Sequence, residues 1–155
     1  DGLIRDFAEQ GVAEVLDDTE SAVLWRAVGA VGPLADAVER AVWRVSVAPS
    51  RGAEIAESIA GSLDAAWFLD WGGGLVWLAV AEQGDAGAAH IRTALKGADG
   101  TGTGHATLVR GSLGLRRAVP VFEPQPAALA ALAGRVKDGF DPRHILNPGR
   151  IVDGV

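Results

Sequence analysis

Two arginines and one histidine are the side chains of this chain whose positions favour binding chemistry. Arg44 lies inside the alternating stretch Val42 to Val47, and Arg110 ends a second apolar stretch, so each guanidinium must reach solvent, a carboxylate or a bound anion. His105 opens that second stretch directly after a glycine-rich loop, where an imidazole could reach a ligand at the sheet edge. These residues predict a surface that binds a small carboxylate. The alternatives are outward-facing arginines and a hydrogen-bonded scaffold histidine.

Other kinds of site lack their characteristic residues. His90, His105 and His144 have no second histidine or carboxylate at the spacing of metal ligands, so no metal site is predicted. The loop at 97–104, GADGTGTG, follows a predicted helix and lacks the lysine of a phosphate-binding loop, so it is interpreted as a plain connection. No Ser-His-Asp order or carboxylate pair indicates hydrolysis. The residues alone therefore assign no catalytic group.

The composition favours a domain without disulfides, membrane spans or nucleic acid partners. The 155 residues include no cysteine and carry a net charge of −6, with no basic cluster that could neutralise phosphates. No apolar run reaches the roughly 20 residues of a spanning helix. We therefore expect one soluble domain, cytoplasmic or held at a membrane through partner subunits. The chain begins at Asp1 and contains no methionine, which indicates a processed or excised portion of a longer protein.

Alternation and helical spacing predict a βαββαβ unit. Strands are predicted at 42–48, 66–71, 75–81 and 104–110, and helices at 51–62 and 85–97. Glycines at 72–74 suit a hairpin connection. This order is that of a ferredoxin-like antiparallel sheet with helices on one face, an α+β fold. Around it we expect an N-terminal helix and strand at 2–10 and 12–16, an amphipathic helix capped by Asp17 or Asp18, and a C-terminal helix at 126–138.

Three tryptophans lie on the predicted hairpin. Trp67, Trp71 and Trp77 are interpreted as core and interface residues, since aromatic side chains on strands usually bury; the alternative is a stacking platform.

The segment 140–151, FDPRHILNPGRI, contains two helix breakers. Asp141 and Pro142 suit the beginning of a short helix, as cap and first residue. Pro148 and Gly149 suit a tight turn that aims backbone amides and Arg150 in one direction. The alternative is a capped turn followed by a frayed tail.

Several segments together resemble a known family. WRVSVAPS, WFLDWGGGLVWLAV, GHATLVRG, VPVFEPQPAALAALAGRVKDGFDP and ILNPGR are similar, in order and spacing, to the FAD-linked oxidases of the vanillyl-alcohol-oxidase type. Within that family they resemble the FAD-binding subunit of bacterial glycolate oxidase. The resemblance covers roughly residues 10–151.

The resemblance implies that residues 1–155 are a single C-terminal cap, or substrate, domain of an FAD-dependent oxidoreductase. An N-terminal FAD-binding domain would be missing from this chain, and the fragment would be inactive. The implied reaction is the oxidation of a small 2-hydroxy acid, and the implied partners are other oxidase subunits. Asn147, Gly149 and Arg150 match the segment that returns to the flavin.

By the same resemblance, His105 and Arg110 match the segment that faces the flavin, and His105 is a further expected cofactor-binding residue. Arg110 and, from its place inside an apolar strand, Arg44 are the residues expected to bind the substrate carboxylate. The histidine-rich motifs of the related catalytic subunit and of lactate dehydrogenases are absent. An alternative is therefore a non-catalytic assembly module of a multi-subunit oxidase, which would interact through a free sheet edge.

Overall fold

The computed structural model describes residues 11, 14–97 and 104–149, which belong to two compact units. The first unit ends at Asp36 and the second begins at Ala37. The helix predicted at 2–10 and most of the glycine-rich loop lie outside the described residues. Residues 14–17 have no regular secondary structure, so the strand predicted at 12–16 is wrong over its described part. A strand needs a neighbour to supply its hydrogen bonds, and none of the described residues pairs with this stretch.

Helix α1 of the first unit spans Asp18–Gly29. The Asp17 carboxylate accepts the Glu20 N–H at 2.8 Å, and the Glu20 carboxylate accepts the Asp17 N–H at 2.9 Å. This reciprocal pair is a capping box, which satisfies two N–H groups at the helix start. The prediction that an aspartate at this position begins the helix is confirmed. A short 3-10 turn at Gly32–Leu34 follows α1.

The second unit contains a four-stranded antiparallel sheet with the strand order β2-β3-β1-β4. Its strands are β1 (Arg40–Ser46), β2 (Ala65–Asp70), β3 (Leu75–Ala81) and β4 (His105–Arg110). Helix α2 (Gly52–Ala60) connects β1 to β2, and helix α3 (Ala88–Lys96) connects β3 to β4. This mixed α+β arrangement is consistent with the predicted ferredoxin-like unit, and all six elements lie close to their predicted bounds.

Alternate strand residues form the core with α2 and α3. Trp43 of β1 is fully buried at its centre, and its indole N–H donates to the Ala86 carbonyl at 3.0 Å. The other core residues of the sheet and the two helices are Ala41, Val45, Ile55, Ala56, Ile59, Val76, Leu78, Val80, Ala88, Ile91, Leu95, Ala106 and Leu108. Ala65 and Trp67 of β2 pack against this core as well. Because strand side chains alternate, Arg44, Phe68, Trp77 and Thr107, with the strand residues in step with them, lie on the opposite side, here called the second face.

The segment 119–123 covers the outer edge of β4. The Leu108 N–H donates to the Val121 carbonyl at 2.8 Å, and the Ala106 N–H donates to the Glu123 carboxylate at 3.2 Å. These bonds occupy outward-facing amides of an edge strand, which would otherwise attract another strand. The free edge that the assembly alternative invokes is therefore absent at β4.

Arg92 of α3 fastens this covering segment to the core. Its Nη2 donates to the Pro120 carbonyl at 2.6 Å, and its Nε lies 3.5 Å from the Glu123 carboxylate. The guanidinium carbon also lies 5.5 Å from the centroid of a Trp43 ring, within the range of a cation–π interaction. One arginine thus ties the β4 edge to the central tryptophan.

Two further helices follow β4. Helix α4 (Leu113–Ala118) begins at Ser112, whose hydroxyl accepts the Leu115 N–H at 3.1 Å. The sequence pattern did not predict α4, since it is short and contains Gly114. Helix α5 (Ala127–Phe140) confirms the helix predicted at 126–138.

The β2–β3 connection lies directly against the turn that precedes α2. A Cβ atom at Gly52 would lie 1.9 Å from the Gly73 carbonyl oxygen, and one at Gly73 would lie 2.7 Å from the Pro49 oxygen. The φ of Gly52 is −60°, an ordinary helical value. Glycine is therefore required at position 52 for space and not for backbone conformation. The Val47 N–H also donates to the Gly74 carbonyl at 3.0 Å, which fixes the hairpin at this position.

We expect Gly52→Ala to lower the free energy of unfolding by about 1–3 kcal/mol, because the new methyl group must displace the backbone of the hairpin. Chemical denaturation monitored by circular dichroism measures this change. Gly134→Ala in α5 is the matched control, since a Cβ atom there meets nothing within 4 Å. The control should unfold at the same denaturant concentration or slightly higher. Equal stability of the Gly52→Ala and parent proteins would contradict the contact.

Candidate functional site

Four side chains form a strip across the second face, here called the transverse row. Arg44 of β1 lies between its register partners, Trp77 of β3 and Thr107 of β4. Phe68 of β2 pairs with Trp77 in turn. Directly paired residues on neighbouring strands have Cβ atoms about 5 Å apart, so the strip is continuous. All four residues are partly exposed, which makes the transverse row accessible to a ligand.

The Arg44 guanidinium stacks on an aromatic ring. Its central carbon lies 5.7 Å from the centroid of a Trp71 ring, and Trp71 is 68% exposed. Within the described part of the chain, no carbonyl or carboxylate accepts a hydrogen bond from this guanidinium. The five N–H donors of a guanidinium lie in the plane of the group, where a carboxylate can bind two of them. Arg44 therefore has the properties of an anion receptor.

Trp71 was interpreted from sequence as a core or interface residue, and its 68% exposure excludes the core. Its φ is +52°, in the left-handed region, which costs a residue with a Cβ atom roughly 1–2 kcal/mol. Two hydrogen bonds hold this conformation: the Trp71 N–H donates to the Asp70 carboxylate at 2.7 Å, and the Gly74 N–H donates to the Trp71 carbonyl at 3.1 Å. The hairpin turn thus presents the indole to Arg44 and solvent. The signal in the sequence is a tryptophan between an aspartate and three glycines.

The other two hairpin tryptophans differ from Trp71. Trp67 packs against the core. Trp77 stacks with Phe68 on the second face, with ring centroids 6.4 Å apart and an interplanar angle of 19°. The aromatic half of the transverse row is therefore a preformed pair of rings beside the Arg44 cation.

His105 lies on the second face in the row next to Arg44. Its register partner is Ser46, two residues after Arg44, so His105 and Arg44 occupy diagonal positions on neighbouring strands. Such positions are about 7–8 Å apart at the backbone, within reach of two long side chains. His105 is exposed. The structure therefore brings together two of the residues that the sequence selected.

Arg110, the second predicted carboxylate-binding residue, points elsewhere. Its guanidinium donates to the carbonyl of Ala37 and, at 3.4 Å, to that of Arg40. These carbonyls lie at the beginning of β1 and not at the transverse row. The expected surface with two arginines therefore has one arginine, Arg44, and Arg110 holds the backbone that leads into the sheet.

Arg110 also lines a cleft of about 450 Å³, whose polar groups are largely used by the fold. Arg40 donates to the Asp64 carbonyl at 2.9 Å and pairs with the Asp64 carboxylate at 2.8 Å. Glu82 accepts the Ser112 N–H at 3.0 Å, and hydrogen bonding by Ser112 holds the pKa of Glu82 below its ordinary value. This cleft is better explained by the support of β1 and α4 than by ligand binding.

The two arginines should respond differently to truncation. Arg110→Ala should lower the free energy of unfolding by about 1.5–3 kcal/mol, because it removes charged hydrogen bonds to backbone carbonyls. Arg44→Ala should cost less than about 1 kcal/mol, since it removes only an exposed stacking contact. Urea denaturation of both variants measures the difference. A larger loss for Arg44→Ala would contradict the assignment of Arg44 as a residue available to a ligand.

Asp141 organises the C-terminal segment. It is 4% exposed, enclosed by its own turn, and its carboxylate accepts the N–H groups of Ile145 at 3.0 Å and Leu146 at 2.9 Å. Lys137 donates to the same carboxylate and to the Leu146 carbonyl at 2.7 Å. The hydrogen bond from Lys137, with the two backbone N–H donors, lowers the pKa of Asp141 to about 2 although enclosure opposes this.

The predicted short helix after Asp141 is wrong. A helix cap accepts N–H groups two or three residues later, whereas Asp141 binds those four and five residues later and closes a turn. Beyond this turn, Asn147 and Gly149 have φ values of +48° and +65° and are exposed. Neither makes a hydrogen bond within the described residues. Arg150, the third residue expected near the flavin, lies outside those residues.

The stabilisation that Asp141 gives its turn should be lost in acid. Its folded pKa, about 2, lies below the ordinary value of 3.8, so the stabilisation is complete above pH 4 or so and disappears as the pH falls towards about 2. The amide shifts of Ile145 and Leu146, measured by NMR, should titrate over this range. In Asp141→Asn they should not titrate, and in the control Glu57→Gln they should behave as in the parent. An apparent pKa near 4 would contradict the lowered value.

The chain has no match among the proteins with which it was compared. No protein-family model, curated protein or solved structure matches it at a significant level. Within residues 14–97 and 104–149 no helix has the length and apolar character to cross a membrane. The same residues contain no group of three or more histidine or acidic side chains suited to a metal ion. The candidate site therefore depends on the second face itself.

Proposed function

We propose that this chain is the C-terminal cap domain of an FAD-dependent oxidoreductase that resembles the FAD-binding subunit of glycolate oxidase. The observation that carries the proposal is the Arg44 guanidinium, stacked on Trp71 and bound to no acceptor within the described residues. A partly buried cation that has no hydrogen-bond acceptor among residues 14–97 and 104–149, in a chain of net charge −6, suits an anionic substrate. The similarity of five sequence segments to FAD-linked oxidases supplies the reaction type.

In this proposal the second face covers the substrate side of the flavin. Arg44 binds the carboxylate of a small 2-hydroxy acid, which fixes the position of the α-carbon. His105, diagonal to Arg44 on the neighbouring strand, is placed to accept the proton of the hydroxyl group. When bound, FAD would supply the two-electron oxidant that conversion of the hydroxy acid into a 2-oxo acid requires. The sheet excludes water from the reacting groups.

The C-terminal segment would contribute to flavin binding. Asn147 and Gly149 present exposed polar groups on a left-handed turn, and Arg150 follows them in sequence. These groups suit contacts to the flavin or to the domain that carries it. They are too few to hold FAD alone, so the main FAD-binding domain would precede this chain and the isolated cap would be inactive. Association with other oxidase subunits, in the cytoplasm or at a membrane, belongs to the same proposal.

Flavin binding tests the proposal directly. We expect the 155-residue chain to bind no stoichiometric FAD, whereas the longer polypeptide that contains it should purify with flavin absorbance. In that polypeptide Arg44→Ala should reduce kcat/KM for the hydroxy acid by about 100-fold or more with flavin content unchanged, since it removes a charged contact. Arg135→Ala, on α5, is the control. Tight FAD binding by the 155-residue chain, or a flavin-free longer protein, would refute the proposal.

An assembly module is the second candidate, favoured by helix α5. Leu129, Leu132 and Val136 are about half exposed, at 50%, 48% and 52%, and recur at three- and four-residue steps along one side of the helix. Apolar stripes of this kind commonly bind another chain. Leu132→Glu should then abolish subunit association in size-exclusion chromatography while the longer polypeptide retains its flavin. Loss of flavin with association intact would favour the cap function instead.

A further inference from the structure

The transverse row has two chemically different halves. Arg44 and Thr107 supply a cation and a hydroxyl on one side, and Trp77 and Phe68 supply two stacked rings on the other. Neighbouring strands are about 4.8 Å apart, so Arg44 and Phe68 are separated by roughly 10 Å across the sheet. A two-carbon acid bound at Arg44 would leave both rings uncovered. The row is therefore longer than a carboxylate and a hydroxyl group require.

We propose that the second face binds a 2-hydroxy acid with an aryl side chain, its carboxylate at Arg44 and its ring over Trp77 and Phe68. The hydroxyl of Thr107, directly opposite Arg44, offers a partner to the polar end of the acid. The oxidation of this ligand rests on the proposed oxidase function, whereas the ligand class rests on the transverse row alone.

Trp71 strengthens the polar half of this site. Its indole lies against the Arg44 guanidinium and orients it before a ligand arrives, which lowers the conformational cost of binding. The left-handed backbone at Trp71 is the kind of local strain that persists where the surrounding structure imposes it. The hydrogen bonds of Asp70 and Gly74 impose it here. The sheet thus presents a fixed cation beside a fixed aromatic surface.

The test compares 3-phenyllactate with lactate, since the two acids differ only by the ring. Titration of the isotope-labelled 155-residue chain, followed by NMR, should show 3-phenyllactate binding at about the millimolar level. Lactate should bind about tenfold more weakly or worse, because it buries no ring. The largest shifts should occur in β1 and β3, around Arg44 and Trp77.

Variants separate the two halves of the site. Arg44→Gln should weaken both acids about tenfold, whereas Phe68→Leu should weaken only 3-phenyllactate. Trp77→Phe provides a second, milder change to the aromatic half. Arg135→Gln removes the same charge from α5 and should change neither affinity.

Three results would overturn the ligand class. They are equal affinities for the two acids, no detectable binding of 3-phenyllactate at a concentration about tenfold above the millimolar level, and unchanged binding in Arg44→Gln. Failure of the oxidase function gives a different result. A longer polypeptide without flavin, in which 3-phenyllactate still binds through Arg44, would refute the oxidase and leave the ligand assignment standing. A flavoprotein that oxidises lactate as efficiently as 3-phenyllactate would refute only the ligand class.

Discussion

The backbone contact between Gly52 and Gly73 is the constraint on which the candidate site depends. The two chains approach so closely that a Cβ atom at either glycine would strike a carbonyl oxygen. This contact holds the β2–β3 hairpin against the start of α2, and α2 is itself packed into the core through Ile55 and Ile59. The position of Trp71, at the tip of that hairpin, therefore follows from the core on the opposite face. A site on a loop gains the precision of a site on a rigid element.

The arginines of the second unit differ in the groups that their guanidinium groups contact. Arg40, Arg92 and Arg110 each donate to backbone carbonyls, and the first two also face a carboxylate. Arg44 has an aromatic ring in place of an acceptor. Because a guanidinium carries five N–H donors, an arginine on a sheet without an acceptor is an exception that binding of an anion would explain. Arg44 and Arg110 both lie on strands, so their positions in the sequence did not distinguish them. The groups that each guanidinium contacts do distinguish them.

The sequence predicted the βαββαβ unit well because each element has its own local signal. Alternation marks β1, three-and-four spacing marks α2, and three glycines mark the hairpin. The strand predicted at 12–16 is wrong over its described part, residues 14–16, because a short apolar run acquires strand structure only from a partner. The turn at Asp141 was missed for a related reason: an Asp-Pro pair is compatible with a helix start, and only Lys137 and the amides of Ile145 and Leu146 select a turn. Contacts between distant residues, such as Arg44 with Trp71, lie beyond local patterns altogether.

The hydrophobic core and the candidate site lie on opposite sides of the same sheet. The side of the sheet that faces α2 and α3 carries the large buried side chains, Trp43 and Leu78 among them, and this apolar burial stabilises the unit. The strands that present those residues must place their alternate residues on the second face, where Arg44, Trp77, Phe68 and Thr107 are partly exposed. A one-residue slip of β1 would exchange the two sets and bury Arg44 in place of Trp43, at a cost that no available partner offsets. The β1 register that buries Trp43 in the core is thus the same register that places Arg44 on the second face. Core packing therefore holds the candidate site in place without further stabilising contacts.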